Sequence, residues 1–249
     1  MSDTAMRSIR SHIDAELIEG QSLALPESTA THLLRVLRLG LGDEVLLFNG
    51  DGYDYRARIS GLAKRSAEVQ VEARIEVQRE SPLQVTLAQA LARGEKMDWV
   101  LQKATELGVS RIAPVVTERT EVKLDAERAD RRLQHWRGVV ASACEQCGRA
   151  RLPQIEEPRA LADFLVASKE AGHLILALDP EGEHSLSALP AFERLTLVIG
   201  PEGGLSPRDL GQLRAAGAQG LRLGPRILRT ETAGIAALAA LQALRGDWA

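Results

Sequence analysis

The chain has 249 residues, 45% of them hydrophobic, with 31 Lys and Arg against 34 Asp and Glu for a formal net charge of −3. That length suits two domains that fold without disulfide or metal staples, and no apolar run approaches the roughly 20 residues of a membrane span. The slight acidity excludes RNA binding by bulk attraction, so any basic footprint must be local.

Met1–Arg10 carries charges and no apolar core, which argues against a signal peptide, and with two cysteines only three positions apart a cytoplasmic protein is expected. Residues 1–78 read as a mainly β first domain. Glu44–Phe48 is a strand candidate, Asn49-Gly50-Asp51-Gly52 supplies turn residues, and Tyr53–Ile59 and Ala67–Val77 alternate apolar with polar. One short helix is expected around Thr29–Leu37, and short strands with glycine turns suggest a small barrel. Glu80-Ser81-Pro82 marks a boundary, and from residue 79 to 249 the rhythm becomes strand and helix in alternation. Leu83–Leu91 reads as a strand leading through Arg93-Gly94-Glu95-Lys96 into a helix with Met97, Val100, Leu101, Ala104 and Leu107 on one face. Ile112–Val116 is the next strand, a long helix spans Leu124–Cys147, and further strands are expected at Leu174–Leu178, Leu195–Ile199 and Leu221–Leu223. This alternation predicts an α/β domain with a mostly parallel sheet covered on both faces.

In such sheets ligands bind beyond the carboxyl ends of the strands. Three strand ends carry specialised sequence: Ala177–Gly182, Ile199–Pro207 and Leu223–Thr232. In the second, Gly200, Gly203 and Gly204 allow close backbone approach, two prolines stiffen the loop, and Ser206 is a helix N-cap with Pro207 at the first helical position. The P-loop and dinucleotide glycine fingerprints are both absent, which argues against a nucleoside-triphosphatase or an ordinary Rossmann site. In the third, Thr230 or Thr232 is read as a cap for the alanine-rich helix Ala233–Leu244, and Glu231 suits the positive helix end. Arg229 does not suit it, and a cation there implies another use. Small residues along that helix suggest burial against the site or a second subunit. Cys144 and Cys147 extend a helical apolar stripe with Leu133, Trp136 and Val140, so core packing is expected rather than a metal site. His32 stands near Arg35 and Arg38, which tilts that segment toward a nucleic-acid face.

Five ordered blocks carry a resemblance over nearly the whole chain: His32–Arg38, Arg93–Val109, Cys144–Arg149, Ile199–Gly204 and Leu223–Ala233. Together they resemble the RsmE family of uracil-N3 methyltransferases of the SPOUT class. The resemblance implies a PUA-like N-terminal β-barrel over residues 1–78 that helps bind RNA. It also implies a C-terminal SPOUT domain over residues 79–249 with a trefoil-knotted backbone, S-adenosylmethionine as cofactor, and a homodimer. The implied substrate is a uridine of 16S ribosomal RNA near the decoding site, in the assembled small subunit. By the same resemblance the cofactor pocket falls on Leu178, Ile199, Gly200, Pro201, Gly203, Gly204, Leu223, Gly224, Leu228 and Thr230. Neither a metal nor a membrane is implied.

Methylating N3 requires an unpaired uracil and loss of the N3 proton. Arg229 is the expected stabiliser of negative charge on the uracil oxygens, with Glu202 and Glu231 as candidate bases. Arg7, Arg10, His32, Arg35, Arg38 and Arg93 are the expected RNA contacts. Two rival readings remain: an RNA-binding protein without catalysis, and a SPOUT enzyme acting on a transfer RNA or a ribose hydroxyl.

Overall fold

The computed structural model describes residues 9–63, 66–122, 125–170 and 172–248. The chain divides into two compact units, Met1–Glu80 with Cys144–Leu152, and Ser81–Ala143 with Pro153–Ala249.

The first unit contains strands β1 (Arg10–His12), β2 (Ser22–Ala24), β3 (Glu44–Phe48), β4 (Tyr53–Leu62) and β5 (Ala67–Glu76). They form one sheet in the order β1-β3-β4-β5-β2. Alternation along β3, β4 and β5 sends Val45, Leu47, Tyr55, Ala57, Ile59, Val69 and Val71 into one apolar core, joined by Ile13, Leu17, Leu25 and Leu33. The helix expected at Thr29–Leu37 is split. Helix α1 covers Glu27–Thr31 and passes into a π-turn, His32–Val36, closed by the Leu37 N–H on the His32 carbonyl at 3.0 Å. The wider turn buries Leu33 completely while His32, Arg35 and Val36 stay outside.

Arg10 was expected on the RNA face, and the structure corrects this. Its side chain is only 7% exposed and pairs with Asp54 at 2.6 Å. It also donates to the carbonyls of Cys144 at 2.6 Å and Arg149 at 3.2 Å, and lies over the Phe48 ring. A guanidinium committed to four partners inside its own unit has no donor left for a phosphate. Arg7 lies outside the described residues.

The second unit holds strands β6 (Gln84–Ala90), β7 (Arg111–Val116), β8 (Gln154–Ile155), β9 (Arg159–Ala160), β10 (Leu174–Leu178), β11 (Arg194–Ile199) and β12 (Gln219–Leu221). Its helices are α2 (Lys96–Glu106), α3 (Ala126–Cys147), α4 (Leu161–Glu170), α5 (Pro207–Ala215) and α6 (Thr230–Arg245), with the last turn of α3 counted in the first unit. The sheet runs β12-β10-β11-β6-β7-β8, with β9 also on β7, and every pairing is parallel. β6 is buried from its second residue to its last, as a central strand covered on both faces must be. Of the expected stripe on α3, Leu133, Trp136, Val140 and Cys144 are buried, whereas Cys147 is only partly so. No helix among the described residues is long and apolar enough to cross a membrane.

The last strand ends two residues before the expected Leu221–Leu223. Leu176, Ala177 and Leu178 of β10 pair with Gln219, Gly220 and Leu221, so neighbour register rather than local apolarity sets the ends of β12.

Candidate active site

Strands β12, β10 and β11 are parallel neighbours, so their carboxyl ends open on one edge of the sheet. The loops leaving them enclose a cavity of about 770 Å³. From the expected cofactor set it is lined by Leu178, Ile199, Gly200, Pro201, Gly203 and Gly204, with Leu228 and Thr230 opposite. Leu223 and Gly224 line a smaller hollow of about 70 Å³ that shares Leu178 and Leu228 with the main cavity. The three expected catalytic side chains, Glu202, Arg229 and Glu231, also line the main cavity. The RNA set is not gathered here: Arg93 sits beside the site in an ion pair with Glu121, and His32, Arg35 and Arg38 belong to the first unit.

The loop after β11 is held at nearly every residue. A Cβ on Gly200 would lie 3.0 Å from Leu205 Cγ and 3.1 Å from the Leu205 amide nitrogen, so only glycine lets the chain fold back this tightly. The Gly204 N–H bonds to the Pro201 carbonyl at 2.9 Å, and Arg119 donates to the Gly203 carbonyl at 2.9 Å. Ser206 caps α5 with Pro207 at its head, as the sequence predicts, and Asp209 completes a reciprocal capping box.

Sequence reading missed Lys96. It lies in the first turn of α2, and its Nζ sits 3.0 Å from Glu202 Oε1 and 3.8 Å from Glu231 Oε2. From Arg93-Gly94-Glu95-Lys96 the sequence reading takes Arg93 as an RNA contact and gives Lys96 no role. The available signal was position: the segment follows the central strand, whose carboxyl end adjoins that of β11. Ile227, 83% exposed on the cavity wall, was missed as well.

The two carboxylates differ. Burial alone would raise the Glu202 carboxyl. Its own backbone N–H, the Lys96 ammonium and the Arg93 backbone N–H outweigh that and hold it below the usual carboxylate range. A depressed folded-state value means the stabilisation is present above the ordinary value of 4.5 and is lost as pH falls through the folded one. The thermal midpoint of Glu202→Gln should therefore lie below that of wild type at pH 6–7, and the difference should shrink as pH falls below 4.5. The gap should be at most about 1 kcal/mol, because solvent reaches the pair. A gap independent of pH would assign the loss to packing.

Glu231 presents a contrast. Its Oε2 is shielded from solvent with no hydrogen-bond partner, and Lys96 faces it only at ion-pair distance. Arg229 is exposed, and its side chain makes no hydrogen bond or ion pair among the described residues, although its carbonyl accepts from the Thr232 and Ala233 N–H groups at 2.9 and 2.8 Å. It is the N-cap of α6 and caps nothing with its side chain. Neither threonine caps the helix as expected, because the Thr230 hydroxyl donates instead to the Gly200 carbonyl at 2.6 Å.

Comparison with known proteins agrees with this geometry. The model of an RNA methyltransferase domain matches residues 79–242, and that of an RNA methyltransferase PUA domain matches residues 25–72. The chain is 30% identical to ribosomal RNA small subunit methyltransferase E of Bacillus subtilis, over 93% of this chain and 95% of that protein. Among solved structures it resembles a Legionella pneumophila methyltransferase in complex with bound SAM, with a TM-score of 0.93 and 41% identity over 97% of this chain and all of that one (100%). It also resembles ribosomal RNA small subunit methyltransferase E from Neisseria gonorrhoeae bound to S-adenosyl methionine, at 38% identity and a TM-score of 0.91, over 97% of this chain and 100% of that one. An α/β methyltransferase fold with a PUA-like first unit thus carries three specialised strand ends on one cavity, and the chain belongs to the RsmE family of ribosomal RNA small subunit methyltransferases.

Proposed function

We propose that the protein transfers a methyl group from S-adenosylmethionine to N3 of a uridine in 16S ribosomal RNA, acting in the cytoplasm as a homodimer on the assembled small subunit near the decoding site. The observation that carries the reading is the convergence of three strand-end loops on one cavity whose wall bears the Arg229 side chain and a Glu231 oxygen that accepts no hydrogen bond.

The cavity fits the cofactor. Leu178, Ile199 and Leu228 offer apolar walls for an adenine, and the glycine loop permits close backbone approach to a ribose. When bound, the cofactor supplies a methyl group on a sulfonium. The remaining tasks fall to this chain's side chains. Glu231 is the better placed base, since its carboxylate lines the cavity and is held only by the longer Lys96 ion pair, while Glu202 is occupied in joining its loop to Arg93 and Lys96. Arg229 neutralises charge developing on the uracil oxygens. The trefoil knot of the SPOUT class belongs to the same proposal. In its support, Gly182 passes so near the Gly220 backbone that a Cβ on Gly182 would lie 2.6 Å from the Gly220 carbonyl carbon.

The first unit presents exposed His32 and Arg35 on its π-turn and Arg38 just after it, and these are the proposed phosphate contacts there. Reversing Arg35 and Arg38 to Glu should weaken binding to small subunits at least ten-fold and make the log–log salt dependence shallower by about two. Unchanged affinity would move the footprint elsewhere. The reaction itself is tested by transfer of labelled methyl from S-adenosylmethionine to small subunits lacking their own modification, followed by nucleoside analysis. N3-methyluridine is the expected product. Another methylated nucleoside would overturn the assignment of the atom, and no transfer would overturn the activity.

A further inference from the structure

We propose that Gln89 is a positioning residue for the cofactor loop, acting through the Thr230 hydroxyl on the carbonyl of Gly200; this rests on the cofactor reading above.

Gln89 lies next to the end of β6, the strand flanked by β7 and β11, and is fully buried at 0% exposure. A primary amide is a costly side chain at such a place unless its groups are bonded. Its Nε2 donates to the Ala90 carbonyl at 3.0 Å and to Thr230 Oγ1 at 2.9 Å, which uses both N–H bonds and fixes which way the amide points. Thr230, 6% exposed, then donates its one hydroxyl hydrogen to the Gly200 carbonyl at 2.6 Å. Two consecutive hydrogen bonds thus join the central strand, the first turn of α6 and the start of the loop after β11. Donation into a hydroxyl strengthens the hydroxyl's own donation, so the links reinforce one another.

Two further observations favour positioning over simple core filling. Gln89 Oε1 is buried with no hydrogen-bond partner. An apolar side chain of similar volume would fill the space without that penalty. The approach of α6 is also built for the contact. A Cβ on Gly234 would lie 3.3 Å from Ile199 Cγ1 and 3.6 Å from Gln89 Oε1, so a bare backbone at this point lets the helix lie close against β6 and β11. The rest of the loop is gripped by surface side chains, Lys96 at Glu202 and Arg119 at Gly203, whereas Gly200 is tethered from the interior. Thr230 therefore serves the cofactor through Gly200, since its donor is already spent.

The test measures binding of S-adenosylmethionine by calorimetry, and steady-state kinetics on small subunits, for the full chain and four variants: Thr230→Val, Thr230→Ser, Gln89→Met and the Val/Met double. Thr230→Val and Gln89→Met should each raise Kd and KM for the cofactor about five- to ten-fold, with kcat at saturation within about two-fold. Thr230→Ser should stay near wild type. The double variant should be no weaker than the weaker single, because both break one relay. Additive losses, or wild-type affinity in Thr230→Val, would overturn the relay. If Gln89→Met does not fold, the Val and Ser variants at 230 decide alone, equal affinities counting against it. A wild-type chain that binds no cofactor would overturn the functional reading itself, before any variant is compared.

Discussion

Replacing Arg229 with alanine should lower methyl transfer at saturating cofactor by about 10²–10³-fold while leaving cofactor affinity within a few-fold. The size follows from the demand of the reaction. N3 of uracil becomes nucleophilic as its proton leaves, and the charge then spreads onto the ring oxygens. A preorganised cation in a partly dry cavity stabilises that charge more in the transition state than in the ground state, so its loss falls on kcat. The stability readout should run the other way. Arg229 places a positive charge at the N-terminus of α6, where the helix dipole disfavours it, and it makes no compensating ion pair among the described residues. Its removal should leave the thermal midpoint unchanged or slightly raised. A residue that costs stability and is required for turnover has been placed for chemistry. Near-normal kcat in Arg229→Ala, or a collapse of folding, would remove it from the mechanism.

The second large effect is expected at Gly182. A Cβ there would stand 2.6 Å from the Gly220 carbonyl carbon, 2.7 Å from its oxygen and 2.9 Å from the Leu221 nitrogen. All three are backbone atoms, so no side chain can swing away. The two segments are also tied on both sides of the crossing. Asp179 N–H bonds to the Leu221 carbonyl at 3.1 Å, His184 N–H to the Gly220 carbonyl at 3.0 Å, and Arg222 N–H to the His184 carbonyl at 2.9 Å. Gly182→Ala must therefore break part of this ladder, at a cost of about 2–3 kcal/mol, or roughly 5–10 °C in a protein of this size. Because Asp179, Pro180 and Glu181 line the cofactor cavity, affinity for S-adenosylmethionine should fall at least ten-fold as well. Gly211→Ala is the control. It lies within α5, and a Cβ there would meet nothing within 4 Å, so the same change should be neutral or stabilising by up to about 1 kcal/mol. Equal behaviour of the two variants would show that the close crossing has no energetic meaning.

Much of the second unit was legible in the sequence because its elements are long enough to carry a period. β10, β11 and α2 lie within a residue or so of their expected places, and the N-cap at Ser206 follows directly from residue types. The short strands were not legible. β1 and β2 have three residues each and β8 and β9 two, too few to display alternation, and they exist because longer neighbours offer them an edge. The cavity wall was legible as glycine-rich strand ends, but the destinations of polar side chains were not. Thr230 reads locally as a cap, and only the packing of α6 against β11 gives its hydroxyl the Gly200 carbonyl. Arg10 reads as a surface cation, and only the pairing of β1 with β3 and the return of residues 144–152 bury it. Lys96 was hidden for the same reason. Sheet order is a long-range property, and local residue types do not report it.

The position of β6 has a consequence for how the molecule is made. One edge of this strand pairs with β7, which emerges soon after it, but the other waits for β11, about a hundred residues further on. At ordinary ribosomal speeds of about 5–20 residues per second, that edge stays open for roughly 5–20 s of synthesis. During that interval a strand built to be buried along nearly its whole length offers unpaired peptide groups to any neighbour, so the nascent chain is the stage at which crowding and heat do most harm. The order of manufacture also makes ligand binding the last property acquired. An incomplete chain lacking β11 and β12 has neither the middle of its sheet nor two walls of its cavity, and cannot sequester cofactor on the way to its fold.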